Sequence, residues 1–149
     1  MGLKEQLQRD LQDAIRQRDE PRKIAIRMTI SAIKNAEIER GAALSEADVL
    51  TLVSREAKQR RESIAEFEKA DRRDLVEKER AELEVLQSYL PAQVSRDEIA
   101  EAAREVIAEV GAGGPRDKGK VMPVLIGRLA GRAEGREINE VVTELLASL

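Results

Sequence analysis

The 149-residue sequence contains neither cysteine nor histidine. The lack of cysteine excludes disulfides, thiolate metal sites and cysteine nucleophiles. The lack of histidine removes the commonest general base and the commonest metal ligand. We therefore expect a protein without catalytic residues of its own, without a metal site and without a cofactor.

Aromatic residues and long apolar runs are also scarce, since Phe67 and Tyr89 are the only aromatic side chains. No stretch approaches the roughly 20 apolar residues that a membrane span needs. Residues 1–10 carry acids and lack the apolar run of a signal peptide. These absences predict a soluble, cytoplasmic protein with no membrane partner. The net charge of −3 provides no whole-molecule basic field, so any nucleic-acid site must be local.

The residues that are present favour helices. Charged residues make up 37% of the chain, and its commonest residue types, isoleucine excepted, are good helix formers. The first predicted helix carries an apolar residue at every fourth position: Leu3, Leu7, Leu11 and Ile15. Ser45 with Asp48, and Ser95 with Glu98, have the spacing of capping boxes, in which each side chain bonds the other's backbone N–H. We therefore predict an all-α protein.

Pro91 divides the predicted helices into four before it and three after it. Residues 90–95 are the natural boundary, because a proline ends the helix that precedes it. We predict an N-terminal four-helix domain over residues 1–92 and a C-terminal three-helix domain over residues 93–149.

Residues 114–121 imitate a phosphate-binding loop, with Gly114, Gly119 and Lys120 at the required spacing. Val121 stands where that motif needs a serine or threonine hydroxyl to hold magnesium. The preceding segment is also predicted to be helical, whereas the motif follows a strand. We interpret these residues as a helix-capping loop.

Two other sets of charged residues have alternative interpretations. The long third helix carries a cluster of cations that could contact RNA, form a buried ion pair or face solvent: Arg55, Lys58, Arg60 and Arg61. Arg60 also interrupts the apolar stripe of this helix. The acids in and just before the fourth helix could bind a metal or act in acid–base chemistry. They alternate with bases, which is the usual pattern of a solvated face with local ion pairs. These acids are Asp71, Asp74, Glu77, Glu79, Glu82 and Glu84.

The segment 113–136 is the strongest candidate for a binding site, because it holds six basic residues against two acidic ones and is rich in glycine. Glycine allows a close backbone approach, and helix N-termini offer N–H groups to phosphate. No aromatic residue lies here, so binding would involve phosphates and shape more than bases. A purely structural loop is an equally open interpretation. The candidate RNA-binding residues are Lys118, Lys120, Arg128, Arg132 and Arg136.

Several short motifs in this order resemble the YqeY family. They are IRM at 26–28, SREAKQR at 54–60, EFEKA at 66–70, YLP at 89–91, GKVM at 119–122, GRAEG at 131–135 and Asn139. Together they span nearly the whole chain. The family is similar to the tail domain of GatB, a subunit of the glutamine-dependent amidotransferase that converts misacylated Glu-tRNA or Asp-tRNA.

The resemblance implies a bacterial-type, two-part helical module that contacts tRNA or other RNA without catalysing a reaction. A label of carbon–nitrogen ligase activity with glutamine as amide donor would be inherited by similarity, because the chain has no counterpart of the glutaminase and kinase domains. Two alternatives are an adaptor that binds a protein of the translation or amidotransferase machinery, and an amidotransferase-type enzyme. An adaptor would show an exposed apolar patch.

Two positions depart from the family pattern. Pro123 must either lie in the first turn of a helix that begins near Val121 or bend a longer helix. Glu134 stands where aspartate or asparagine would be a better N-cap. We expect the final helix to begin less sharply.

Overall fold

A computed structural model describes residues 2–149 of the chain. These residues form seven α-helices, one short 3₁₀ turn and no strand. The α-helices are α1 (Leu3–Gln17), α2 (Glu20–Arg40), α3 (Glu46–Lys69), α4 (Arg73–Gln87), α5 (Arg96–Val110), α6 (Lys118–Arg128) and α7 (Gly135–Ala147). The all-α prediction is confirmed.

The chain divides into two compact units, Met1–Leu90 and Pro91–Leu149. The first unit contains α1 to α4, and the second contains α5 to α7. Each unit has a hydrophobic core of its own. That the units are independent domains, with a boundary at residues 92 and 93, stays a prediction.

The core of the first unit draws on all four helices. Its buried members are Leu3, Leu7, Ala25, Ile26, Ile33, Val49, Val53, Ala57 and Leu86. The expected stripe of α1 is wrong at its end, because Ile15 is 41% exposed and Ala14 is buried instead. Ile15 comes twelve residues after Leu3. At 3.6 residues per turn, its side chain therefore lies about 120° around the helix axis from that of Leu3.

The helix ends of the first unit follow local signals. Asp19 caps α2 by accepting the Arg22 N–H at 3.3 Å, and Pro21 is the second helical residue rather than the first. Gly41 ends α2 with a φ of +76°, a left-handed conformation that glycine adopts without strain. The predicted capping box at the start of α3 is confirmed.

The core of the second unit lies between its three α-helices. Its buried members are Ile99, Ala103, Val106, Val121, Leu125, Leu129, Ile138, Val141, Val142 and Leu146. The predicted capping box of Ser95 and Glu98 starts α5. Glu134 precedes α7 and makes no side-chain capping bond.

Pro123 lies inside α6, because this helix begins at Lys118, directly after the 3₁₀ turn Pro115–Asp117. Of the two alternatives for Pro123, a helix that begins near Val121 is therefore excluded, and the proline lies within a longer helix. Proline has no N–H to donate to the carbonyl of Gly119, four residues earlier. Gly119 and Pro123 are both exposed, so water can solvate this carbonyl.

None of the helices formed by residues 2–149 is both long and apolar enough to span a bilayer.

Candidate nucleic-acid interface

The five predicted RNA-binding residues lie in the second unit but fall into two groups. Lys118 and Lys120 belong to the first turn of α6. Arg128 is the last residue of α6, Arg132 lies in the following turn, and Arg136 is the second residue of α7. At about 1.5 Å per residue, the two ends of the 11-residue α6 are about 15 Å apart. The predicted set is therefore not one continuous patch.

The arginines after the middle of α6, which we call the α6-end cluster (Arg128, Arg132 and Arg136), already have partners. Arg128 forms an ion pair and hydrogen bond with Glu109, and this bond raises the pKa of the guanidinium. Arg136 Nε lies 3.5 Å from Glu140 Oε1. A phosphate at these two positions would have to compete with a carboxylate. Exposed ion pairs of this kind contribute only about 0–1 kcal/mol. Competition from the carboxylates would therefore weaken phosphate binding without preventing it.

Arg132 is held by the backbone instead. Its Nε donates to the Ala92 carbonyl at 3.5 Å, and its own carbonyl accepts the Val94 N–H at 2.9 Å. These bonds join the turn after α6 to the segment before α5. Arg132 is also only partly exposed, so its first role is to connect these two segments.

The cations at the beginning of α6 are freer. We call Arg116, Lys118 and Lys120 the α6-start cluster. Arg116 and Lys118 form no ion pair with any residue from 2 to 149, and Arg116 is exposed. Lys120 Nζ lies 3.5 Å from Asp117 Oδ1. Asp117 also accepts the Gly113 N–H at 2.8 Å, and this bond is the main cause of the lowered pKa of its carboxyl.

No side chain caps the first turn of α6. A helix N-terminus carries a partial positive charge and presents N–H groups that favour anions. Arg116 and Lys118 add two side-chain charges at this same end. The first N–H of α6, that of Lys118, already bonds the Pro115 carbonyl of the preceding 3₁₀ turn. The beginning of α6 therefore combines a helix start without a side-chain cap with two cations that lack acidic partners.

The second unit as a whole is not basic, since residues 91–149 hold eight basic and ten acidic residues. Helix α5 alone contains five acids, whereas α6 contains none. Any attraction for phosphate is consequently confined to α6 and the loop before it. Within the Debye length of about 8 Å at physiological salt, such a local field still acts on an approaching backbone.

Arg60, one of the other candidates for RNA contact, is buried in the first unit. Its Nη1 donates to Glu79 Oε2 at 3.0 Å and lies 3.5 Å from Glu82 Oε1. Of the three interpretations, the buried ion pair is correct. The solvated-face interpretation of the α4 acids is wrong for Glu79 and Glu82, which lie one turn apart on the side of α4 that packs on α3. Glu82 is only 1% exposed.

Sequence reasoning missed a polar network in the first unit. The Tyr89 hydroxyl donates to Asp10 Oδ2 at 2.5 Å, and Arg22 lies 3.7 Å from Asp10 and 2.8 Å from Asp13. Burial, followed by the hydrogen bond to Asp10, raises the pKa of the Tyr89 phenol above its usual 10. The network joins α1, α2 and the end of α4 and has a structural role. No local signal indicates it, because its members are up to 79 residues apart.

Comparison with known proteins places this chain among helical proteins of one family. The family described as "Yqey-like protein" matches residues 4–146. A relative from Pyrenophora tritici-repentis, named "Altered inheritance of mitochondria protein 41, mitochondrial", is 35% identical over 146 residues, which cover 91% of this chain and 78% of that protein.

Relatives with the same name in Lachancea thermotolerans and Saccharomyces cerevisiae (strain YJM789) are 44% and 40% identical over 85 residues. Each alignment covers 56% of this chain and 46% of the relative, so the chain matches about half the length of these two proteins. These relatives are fungal and their name assigns them to mitochondria. The cytoplasmic location and bacterial type expected for this chain stay predictions, and the relatives' names state no ligand.

Proposed function

Because the chain belongs to the YqeY family, we propose that it is a non-catalytic helical module that contacts tRNA or other RNA through the beginning of α6. The observation that carries this proposal is the α6-start cluster, in which Arg116 and Lys118 lack acidic partners beside an uncapped helix N-terminus. The α6-end cluster contributes less, because Glu109 and Glu140 compete for two of its arginines.

The proposed contact involves the phosphate backbone. Both aromatic residues of the chain, Phe67 and Tyr89, lie outside the second unit, so no base can stack on an aromatic ring there. Lysine and arginine side chains would release counterions from the RNA, which makes the affinity strongly dependent on salt. Recognition of RNA shape rather than of sequence follows from such contacts.

A filter-binding assay with unfractionated tRNA over a series of salt concentrations tests the proposal. We expect replacement of Arg116, Lys118 and Lys120 by alanine to weaken binding and to reduce the salt slope by about two. The matched control replaces Arg128, Arg132 and Arg136 by alanine and should have the smaller effect on both quantities. Each variant removes three charges, so the comparison isolates their position.

Two results would contradict the proposal. One is the absence of tRNA binding at low salt, and the other is a triple variant of the α6-start cluster that binds as tightly as the natural chain. Transfer of ammonia from glutamine by the purified chain alone would contradict its non-catalytic part.

A further inference from the structure

Helix α2 has one face in the core of the first unit and an opposite face exposed to solvent. Ala25, Ile26, Thr29 and Ile33 are buried. The exposed residues of the opposite side, which we call the α2 outer face, lie within an arc of about 120° at 100° per residue. They are Glu20, Arg27, Met28, Ser31, Lys34, Asn35 and Ile38.

Two large apolar side chains lie on this face. Met28 is 48% exposed, with its Sδ accepting a hydrogen bond from Arg60 Nη2 at 3.1 Å. Ile38, at 79%, is the most exposed large hydrophobic residue among residues 2–149. Half-buried Ile24 continues the same line towards the start of the helix. Positions 24, 28, 31, 35 and 38 alternate in steps of four and three, which is the spacing that a helix presents to a partner helix.

Between Pro21 and Ala36 the charges of this face have one sign, whereas Glu20, exposed at the start of the face, pairs with Lys23. Helix α2 contains no acidic residue between Pro21 and Ala36, although acids outnumber bases in the whole chain by 29 to 26. Arg27 and Lys34 lie seven residues apart beside the apolar line. Neither forms an ion pair with any residue of the described part of the chain. The face therefore combines exposed apolar side chains with cations that lack a counter-charge.

We propose that the α2 outer face docks an acidic amphipathic helix of another protein. Ile38, Met28 and Ile24 would pack against the apolar side of that helix, while Arg27 and Lys34 would pair with glutamates that flank it. Ser31 and Asn35 interrupt the apolar line, and polar residues at such positions specify register at a cost in affinity. The complex is accordingly reversible. This surface belongs to the first unit and does not depend on the proposed RNA contact.

The charge pattern favours this partner over a second copy of the chain. In antiparallel self-pairing, Arg27 and Lys34 of one copy would face the same cations of the other copy, and like charges at flanking positions disfavour pairing. An RNA backbone would satisfy the cations but would leave Met28 and Ile38 in water. An acidic amphipathic helix satisfies both the cations and the apolar side chains.

The test uses two synthetic, fluorescein-labelled helical peptides with the same leucine seam, one flanked by glutamates and the other by lysines. Fluorescence anisotropy measures their binding to the full chain. We expect the glutamate peptide to bind and the lysine peptide not to bind. Ile38→Ser should weaken binding about tenfold, the loss expected for one buried apolar side chain. The matched control is Ile15→Ser, which removes an exposed isoleucine from α1 and should leave the affinity unchanged.

Charge reversal supplies the second half of the test. The double variant Arg27→Glu and Lys34→Glu should no longer bind the glutamate peptide and should bind the lysine peptide, because the charges that flank the apolar line of α2 are inverted. All the substituted side chains are exposed, and far-ultraviolet circular dichroism checks that the helices are retained.

Three outcomes would overturn the inference. They are binding of neither peptide, equal binding of both peptides, and an Ile15→Ser variant that loses as much affinity for the glutamate peptide as Ile38→Ser does. A natural chain that sediments as a dimer, and as a monomer after Ile38→Ser, would assign the face to a second copy. Loss of tRNA binding in the charge-reversed variant would assign it to RNA. The proposed RNA contact is judged separately, by the variants of the α6-start cluster.

Discussion

Glu82 shows how far the environment of a single residue can depart from its local pattern. Its Oε2 atom is buried and has no hydrogen-bond partner, and its Oε1 lies 3.5 Å from Arg60. Burial raises the pKa of this carboxyl, although the charge of Arg60 opposes the shift. When both Glu79 and Glu82 are ionised, their two negative charges outnumber the single positive charge of Arg60. The cluster then carries a net negative charge.

We predict that Glu82→Gln raises the free energy of unfolding at neutral pH by about 1 kcal/mol, because an amide can replace the buried carboxyl without its charge. A carboxyl whose folded pKa is raised contributes stability that is fully present below its unfolded pKa of 4.5 and is lost as pH rises through the folded pKa. The advantage of the variant should therefore grow with pH above 4.5. Urea unfolding at several pH values measures it.

The control for this prediction is Glu79→Gln. Glu79 accepts the direct hydrogen bond of Arg60 and is more exposed than Glu82, so its replacement should lower stability at neutral pH. A Glu82→Gln variant less stable than the natural protein at pH 7 would mean that attraction to Arg60 outweighs the cost of burial.

At the scale of the element, α6 combines a weak helical sequence with the candidate RNA contact. It contains an internal proline, two glycines and no acidic residue. A Cβ atom added at Gly119 or Gly127 would meet no other atom within 4 Å, so close packing does not require glycine at either position. The helix is held instead by Val121 and Leu125, which are fully buried. Tertiary packing thus overrides local preference in this element.

We predict that Pro123→Ala stabilises the second unit by about 1–2 kcal/mol, because alanine restores an N–H donor to the Gly119 carbonyl. Thermal unfolding followed by circular dichroism measures the change. Val124→Ala, at the neighbouring exposed position, is the control and should change stability by less than about 0.5 kcal/mol. Equal stability of Pro123→Ala and the natural protein would indicate that the helix must bend at this residue.

At the scale of the whole molecule, each unit has its own buried core, and the aromatic residues lie only in the first. Tyrosine fluorescence therefore reports on residues 1–90, whereas circular dichroism reports on both units. This difference makes the predicted division into domains measurable without cutting the chain.

We predict that the two signals give separate urea transitions. Val142→Ala, in the core of the second unit, should destabilise that unit by about 1–3 kcal/mol and shift only the transition seen by circular dichroism. Val53→Ala, equally buried in the first unit, is the matched control and should shift the tyrosine transition. Coincident transitions that move together in both variants would show one cooperative domain.

The sequence by itself determined the all-α class and the two capping boxes, Ser45 with Asp48 and Ser95 with Glu98. Each of these depends on residues within about one helical turn, so spacing along the chain is sufficient to predict it. The basic segment was also visible, because its composition is local. The capping boxes account for the starts of α3 and α5, and the local composition accounts for the position of the candidate site in the chain.

Only the tertiary structure decided which charges are available. Arg128 meets Glu109 from 19 positions away, and Arg60 meets Glu79 and Glu82 from a neighbouring helix. Helix packing brings these partners together, and no spacing rule along one helix predicts it. The proposed RNA contact is consequently at the beginning of α6, where Arg116 and Lys118 form no ion pair with any residue from 2 to 149, although Asp117 lies between them in the chain. The free energy of a charge depends on what surrounds it in space.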